Sequence, residues 1–372
     1  MPPTETLRRQ QAARALATSQ GFDGLLVTEK LNYWYLTDHR SLEFDKKARP
    51  NVLLIPASGP SHLIVSTNAQ AAAAAACPQA QIHTYVDVQF TPALLVDVLS
   101  SAGCACGRIG LEFGRHDRLG ICIEHIDKVR RALPGLEMVS AGSLFEEVRS
   151  IKSSAEIARI RRACEISMLA WQRGLRGIKV GMRDEDIARI LGSALCLEGQ
   201  DINVPGHLTV GDGTRRSGPY RPGDILWCDF GATYGGYHAD FSRRAVFGTA
   251  RAEQLKAHAD MSHVLDAMIA AMRAGVLACE IAAVGERELV KLGYAPLQGR
   301  RIGHGLGLAS AERPSLAIWD ETELRTGMVL TPEPNVTLPS GEHLHIEETV
   351  VITPTGSEKL SRGAEILHVI AE

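Results

Sequence analysis

The feature that most constrains the fold is a strand-like run that ends on an acid and occurs twice in the chain. The first copy, Gly223–Asp229 (GDILWCD), ends on Asp229, and the second copy, Gly327–Glu333 (GMVLTPE), ends on Glu333. An unpaired buried carboxylate is costly, so such an acid usually pairs with a base or binds a cation. The repetition predicts two equivalent strands with equivalent acids.

Each copy is followed by a second acid. A Gly235-Gly236 turn, typical of a hairpin, separates Asp229 from Asp240. Glu347 follows the second copy in the run 345–351 (HIEETVV), which reads as another continuous strand. Two carboxylates brought together by one hairpin repel each other unless a cation lies between them. Taken alone, the first pair could equally be two exposed hairpin acids, but the repetition favours binding of a cation.

A second repeated segment lies upstream of each acidic strand. Gly181–Ala188 (GMRDEDIA) matches Gly275–Ala282 (GVLACEIA), and the helical patterns that follow end at Gly199 and Gly293. We therefore predict an α+β unit, duplicated about a pseudo-twofold axis, in which helices cover a sheet and four acids converge near the axis.

Length and composition limit the classes of function. A chain of 372 residues predicts two domains, and 45% hydrophobic residues are ample for two buried cores. The net charge of −3 and the lack of a basic stripe argue against a nucleic-acid partner. We find no signal-peptide pattern and no membrane-length apolar run, and the eight cysteines are scattered, so we expect a cytoplasmic protein with reduced thiols.

The residues before 150 alternate between strand and helix signals, which predicts an N-terminal α/β domain at 1–150 and a second domain at 151–372. Ser153 and Glu156 form a plausible capping box at the start of the second domain. The predicted strands are 24–27, 52–55, 63–65, 82–86 and 109–112, and the predicted helices are 71–76, 92–99 and 125–133.

One histidine belongs with the four acids. His304 lies between glycines in Gly303–Gly307 (GHGLG), and glycines permit close approach of the backbone to a ligand. A single histidine is usually a satisfied core or surface residue. Its place between the two acid pairs favours a metal ligand.

These segments together resemble the pita-bread metallopeptidases, a family that contains prolidase, aminopeptidase P, methionine aminopeptidase and the metal-free creatinase. The resemblance covers about 151–370, and the spacing is most similar to that of the short microbial Xaa-Pro peptidases. The preceding α/β domain resembles the creatinase-type N-terminal domain. The family's metal ligands correspond in order to Asp229, Asp240, His304, Glu333 and Glu347.

The resemblance implies two divalent metal ions, of which Mn²⁺, Co²⁺ or Zn²⁺ suits carboxylate and imidazole ligands. It implies that Asp240 and Glu347 bridge the ions, that Asp229 completes one site, and that His304 and Glu333 complete the other. Such ions lower the pKa of a water that attacks an amide carbonyl. Glu333 is the implied catalytic proton shuttle, whereas Cys228 should point to the opposite face of its strand.

The sequence departs from the family at positions that hold substrate. Ala311 replaces a histidine in the family's His-Glu-x-Pro pattern, and the loop 211–220 lacks another. Losing one such donor commonly lowers the rate by about 10²–10³-fold, although the loop could supply an equivalent donor. The expected substrate-binding residues are His207, Arg215, Arg216, Glu312 and His345, of which His345 stands where the family has arginine.

The predicted function is a metal-dependent hydrolase, with Xaa-Pro peptides as the expected substrates. The alternatives are a small non-peptide amide or C–N substrate, a lyase reaction, or a non-catalytic pita-bread binding protein. Creatinase-like metal-free chemistry is disfavoured because all five ligand positions are intact. The resemblance also implies a homodimer, in which Trp34, Tyr35 or Arg49 could contact the neighbour's substrate, although packing is the simpler role for each.

Overall fold

The computed structural model describes residues 3–46, 48–114, 118–211, 218–295, 298–337 and 341–371. The chain divides into two compact units, the N-terminal unit (residues 1–149) and the C-terminal unit (residues 150–372). Among the described residues, no helix combines the length and the apolar character needed to cross a membrane.

The N-terminal unit is built on a mixed six-stranded sheet in the order β4-β3-β2-β1-β5-β6. Its inner strands are continuous apolar runs because both faces are covered, and β1 and β2 are buried along their whole length. Strands β1 to β6 span Gly24–Val27, Val52–Pro56, His62–Ser66, Gln81–Tyr85, Gly107–Leu111 and Leu136–Ser140. Helices α1 to α6 span Pro3–Ser19, Lys30–Thr37, Gln70–Ala76, Pro92–Ser101, Ile123–Ala132 and Gly142–Ser150.

The five strands and three helices predicted for this unit are present, but α1, α2, β6 and α6 were not predicted. Helix α2 carries aromatic residues on several faces, so it lacks the polar stripe of an amphipathic helix. Glu29 caps it by accepting hydrogen bonds from two backbone N–H groups of its first turn. Trp34 and Tyr35 are buried within the unit, which agrees with packing and gives no support to a substrate contact. Arg49 is half-buried and pairs with Glu43.

A buried carboxylate lies just beyond β5. Glu112 accepts hydrogen bonds from Thr28 N at 3.0 Å and Thr28 Oγ1 at 3.1 Å, and from Asn32 Nδ2 at 3.4 Å. Burial raises the pKa of Glu112 to about 8, although the backbone hydrogen bonds act in the opposite direction. At neutral pH this carboxyl group therefore tends to hold a proton in the folded state.

The raised pKa of Glu112 predicts a pH-dependent stability. Between the ordinary value of 4.5 and about 8, the folded state binds a proton that the unfolded state releases, so the free energy of unfolding falls as pH rises. The neutral side chain of Glu112→Gln removes this linkage. We expect the unfolding midpoint of the variant to rise relative to that of the wild type as the pH is raised from about 5 to about 9. Glu137→Gln, at an exposed position of β6, is the control, and parallel pH profiles for Glu112→Gln and the wild type would contradict the prediction.

The C-terminal unit consists of two helix pairs and strands arranged mainly in a four-stranded and a five-stranded sheet. The two sheets have the orders β19-β11-β8-β7 and β13-β12-β14-β17-β18, and β9-β10 and β15-β16 form separate hairpins. Helices α7 to α10 span Ser154–Leu175, Asp184–Glu198, Ala252–Ala271 and Ala278–Lys291. Strands β7 to β19 span His207–Val210, Ile225–Gly231, Thr233–Tyr234, Tyr237–His238, Phe241–Phe247, Gly303–Gly305, Glu312–Ser315, Val329–Pro332, Asn335–Thr337, His343–His345, Val350–Thr353, Gly356–Lys359 and His368–Ile370.

The predicted repeat is visible in the order of these elements. The first half (residues 154–247) runs α7, α8, β7, β8, the β9-β10 hairpin and β11, and the second half (residues 252–353) repeats this order as α9, α10, β12, β14, the β15-β16 hairpin and β17, with β13 inserted after β12. Each half has its own apolar core beneath its helix pair. The capping box of Ser153 and Glu156 is formed, and both central glycines of the predicted turn, Gly235 and Gly236, have positive φ.

One strand prediction is wrong in part. The run 345–351 was read as continuous, but β16 ends at His345 and β17 begins at Val350. The intervening backbone bonds partly to side chains and partly to backbone outside the strands, since the carbonyl of Thr349 accepts from Leu360 N at 2.8 Å. Thr349 N donates to Ser361 Oγ, and the carbonyl of Glu347 accepts from Arg243.

A buried guanidinium joins the two halves. Arg243 Nη1 donates to the carbonyl of Glu347 at 2.8 Å, and Nη2 lies 3.1 Å from both carboxylate oxygens of Glu348. Nη2 also donates to the carbonyl of Arg362 at 2.7 Å. Nearby, Thr349 Oγ1 donates to the carbonyl of Asp240 at 2.7 Å. These contacts connect the backbone next to one acid of each half.

We expect Arg243→Met to be strongly destabilising because it leaves the Glu348 carboxylate buried without its partner. Breaking a buried ion pair in this way costs about 3–5 kcal/mol. Arg161→Met is the matched control, since Arg161 and Glu358 form an exposed pair at 3.0 Å and such pairs are worth about 0–1 kcal/mol. Denaturant unfolding of the two variants gives the comparison, and equal losses would contradict it.

Candidate metal centre

The first two predicted ligands come from the β8 and β11 strands. Asp229 lies on β8 opposite Ser242 of β11, and Asp240 immediately precedes β11. Asp229 is partly exposed, whereas its neighbour Cys228 is buried in the apolar core on the other face of the strand. Burial raises the pKa of the Cys228 thiol well above its ordinary value, so this sulfur has no thiolate character.

The other three predicted ligands come from the second half. His304 lies on β12, which pairs with β14, and Glu333 directly follows β14. Glu347 lies on the segment between β16 and β17 and is buried. His304 Nε2 is 3.7 Å from Asp240 Oδ2 and 3.9 Å from Glu333 Oε1. The structure therefore brings all five predicted ligands together.

The donor atoms fall into three overlapping groups, in each of which they lie within 4.8 Å of one another. The central group, formed by Asp240, His304 and Glu347, is wholly buried and contains an acid from each half. The flanking groups are His207 with Asp229 and Asp240, and His345 with Glu333 and Glu347.

The carboxylates repel one another in this arrangement. Burial and the charges of Asp240, Glu333 and Asp229 raise the pKa of Glu347 well above its ordinary value. Burial also raises the pKa of Asp240, and the neighbouring Asp229 adds to the rise. Glu347 Oε1 is buried and has no hydrogen-bond partner among the residues that the structure describes. Buried carboxylates with an orphaned oxygen and adjacent imidazoles fit a divalent cation, which would satisfy the oxygen and remove the repulsion.

Two histidines beyond the five predicted ligands also face the acids. His207 Nε2 lies 2.8 Å from Asp240 Oδ1 and 3.4 Å from Asp229 Oδ1. Burial lowers the pKa of His207, but its hydrogen bonds to the two aspartates outweigh this and raise it to about 10. His345 Nε2 lies 3.3 Å from Glu333 Oε2, and its ring stacks on Trp227.

Of the remaining residues predicted to bind substrate, only Glu312 falls in the part of the chain that the structure describes. Glu312 belongs to none of the three donor groups: Lys152 Nζ lies 3.1 Å from its Oε2, and Ala309 N donates to its Oε1. Arg215 and Arg216 fall in 212–217, outside the described residues. The sequence did not indicate that Lys152 would pair with Glu312, because the partners are 160 positions apart.

Comparison with known proteins places both units in known families. The creatinase/prolidase N-terminal domain matches residues 9–151, and metallopeptidase family M24 matches residues 158–354. These matches confirm the predicted α+β fold, in which a creatinase-like N-terminal domain is followed along the chain by a pita-bread unit.

Individual relatives agree with the family models. An Xaa-Pro dipeptidase of Pyrococcus horikoshii is 27% identical over 246 residues, which is 64% of this chain and 70% of the relative. A probable dipeptidase PepE of Mycobacterium tuberculosis is 26% identical over 98% of this chain and 96% of its own length. The crystal structure of dipeptidase PepE from Mycobacterium ulcerans matches the fold with a TM-score of 0.85, at 24% identity and with both chains fully covered. Because the M24 model covers more than half of the chain, this protein belongs to metallopeptidase family M24 and is a metal-dependent peptidase.

Proposed function

We propose that the C-terminal unit is an Xaa-Pro peptidase whose metal ligands are Asp229, Asp240, His304, Glu333 and Glu347. The observation that carries this proposal is the convergence of acids from both halves on the buried group of Asp240, His304 and Glu347. Relatives named Xaa-Pro dipeptidase support the substrate class. When bound, two divalent ions such as Mn²⁺, Co²⁺ or Zn²⁺ supply an acidified water and positive charge for a substrate carbonyl oxygen.

The chain's own residues have distinct tasks in this proposal. Glu333 is the proton shuttle, because its carboxylate remains partly exposed and can exchange a proton with substrate or solvent. His345 positions it, since its Nε2 lies 3.3 Å from Glu333 Oε2 and its ring is held by stacking on Trp227. Burial lowers the pKa of His345, but Glu333, Asp229 and Asp240 raise it by more, so the pKa is raised overall.

Recognition of the substrate is the part of the site that departs from the family pattern. Ala311 has no hydrogen-bonding side chain, and Glu312 next to it is committed to Lys152 and Ala309. These two observations favour a second candidate function on the same metal centre, either hydrolysis of a small non-peptide amide or C–N bond or a lyase reaction. A non-catalytic binding role is disfavoured because the acids and His304 remain together.

The cellular setting belongs to the same proposal. We propose a homodimer, as the resemblance of the N-terminal unit to creatinase-type domains implies, and its mass in solution tests this. We also propose a reducing, cytoplasmic location, which the eight free cysteines support.

We expect His304→Ala to lower the metal content and abolish hydrolysis while the protein still folds. The substitution removes the imidazole from the central donor group. Elemental analysis after reconstitution, together with circular dichroism, makes the measurement. His263→Ala, at an exposed position beside Glu288, is the control. Unchanged metal content and activity in His304→Ala would rule out this ligand assignment.

We expect the wild type to cleave ordinary Xaa-Pro dipeptides more slowly than a typical prolidase at equal metal loading. Absence of one donor to the substrate carbonyl lowers rates by about 10²–10³-fold. A panel of Xaa-Pro peptides after reconstitution with Mn²⁺, Co²⁺ or Zn²⁺ provides the test. Turnover equal to that of a prolidase would show that the loss at Ala311 is compensated, and restoration of rate by Ala311→His would support the explanation.

A further inference from the structure

We propose that His207 is an additional metal ligand, which binds the ion held by Asp229 and Asp240. The inference rests on the proposed function, because it requires that the acids hold divalent ions. In the proposed set of five ligands, the ion at Asp229 has only carboxylate ligands, because His304 belongs to the other ion. The inference adds a nitrogen ligand to the ion at Asp229. His207 then acts on the metal instead of on the substrate.

The first argument is distance. His207 Nε2 lies 2.8 Å from Asp240 Oδ1 and 3.4 Å from Asp229 Oδ1, so these three donor atoms lie close enough together to bind one ion. A ligand nitrogen must lie beside the oxygens that bind the same ion, and His207 meets this requirement. Its side chain is mostly covered, which limits the competition of bulk water for the same position.

The second argument is the pseudo-twofold repeat. In the first half, β7 pairs with the strand of Asp229, and in the second half β12 pairs with the strand that precedes Glu333. Each of these equivalent strands carries one imidazole, His207 on β7 and His304 on β12. Asp240 has an imidazole beside each oxygen, since His304 Nε2 lies 3.7 Å from its Oδ2. The two halves thus offer one nitrogen donor each.

The third argument is how closely the backbone around His207 is packed. A Cβ at Gly206 would lie 1.6 Å from the carbonyl oxygen of Gly231, and a Cβ at Gly231 would lie 1.8 Å from that of Ala239. Three segments therefore approach within backbone contact only because two of the residues are glycine. The residues next to this contact are His207 and Asp240, so the fold itself holds the imidazole against the carboxylate.

An added imidazole has a chemical consequence. Nitrogen ligands favour Zn²⁺, Co²⁺ and related ions, whereas sites made only of carboxylates suit Mn²⁺ and Mg²⁺. With His207 bound, both positions have a nitrogen ligand and both discriminate against Mn²⁺. We therefore expect the wild type to prefer Co²⁺ and Zn²⁺ over Mn²⁺ at both positions.

The first test is titration of the metal-free protein with Co²⁺, followed by visible absorption and equilibrium dialysis. We expect the wild type and His263→Gln to bind two Co²⁺ per chain. In His207→Gln one of the two should bind about tenfold or more weakly, with changed absorption bands, because a ligand is lost. Two ions bound with unchanged affinity and spectrum in His207→Gln would overturn the inference and leave the proposed function standing. Failure of the wild type to bind Co²⁺ would instead overturn the proposed function.

The second test looks for a new absorption band and does not depend on a loss of affinity for Co²⁺. In His207→Cys, a thiolate within the coordination shell gives an intense sulfur-to-Co²⁺ charge-transfer band in the near ultraviolet. His263→Cys, at an exposed position away from the acids, is the matched control and should give none. The band in the first variant alone supports the assignment. Because the cysteine side chain is shorter than that of histidine, the result that overturns the inference remains unchanged Co²⁺ affinity and spectrum in His207→Gln.

Discussion

Burial of Arg243 between the two halves of the C-terminal unit is the interaction on which the acidic centre depends. Its guanidinium bonds the carbonyl of Glu347 and the carboxylate of Glu348, and it is itself part of β11, which begins directly after Asp240. A buried charge is tolerable only when its hydrogen-bonding capacity is used, and here five acceptor atoms, including the carbonyls of Ser242 and Arg362, surround one side chain. The interaction holds the two central acids near each other although their charges repel.

That repulsion explains why so many imidazoles and backbone contacts surround the centre. Burial and the neighbouring acids raise the pKa of Asp240 and of Glu347, so in the protein without ions both carboxyl groups hold their protons to a higher pH than free carboxyl groups do. A divalent cation reverses the balance, because it binds the ionised carboxylates and competes with their protons. The polypeptide therefore supplies a rigid arrangement whose charge is complementary to a metal ion, and the apolar cores beneath each helix pair supply the rigidity.

Much of this arrangement could be predicted from the sequence, because a sequence repeat identifies equivalent residues even when their contacts are unknown. The acid at the end of each strand, the glycine turn and the capping box at Ser153 all follow from local chemistry. The proximity of His207 to Asp240 could not be predicted so easily. It depends on the register of β7 against β8, which places His207 opposite Gly231, and register is a property of pairing between distant segments. The pairing of Lys152 with Glu312 was missed for the same reason.

The separate cores of the two halves have a consequence for how such a centre can change. Substitutions under one helix pair can move its own acids as a group, while the opposite acids stay where their own core holds them. The gap between the groups is then governed by a few contacts across the pseudo-twofold axis, among them Thr349 Oγ1 to the carbonyl of Asp240 and Ser242 Oγ to the carbonyl of His345. The distance between the two groups of acids and the residues that form the core of each half can thus change independently. Substitutions in a duplicated chain can therefore alter the acids of one half at a time, while the contacts across the pseudo-twofold axis keep their geometry.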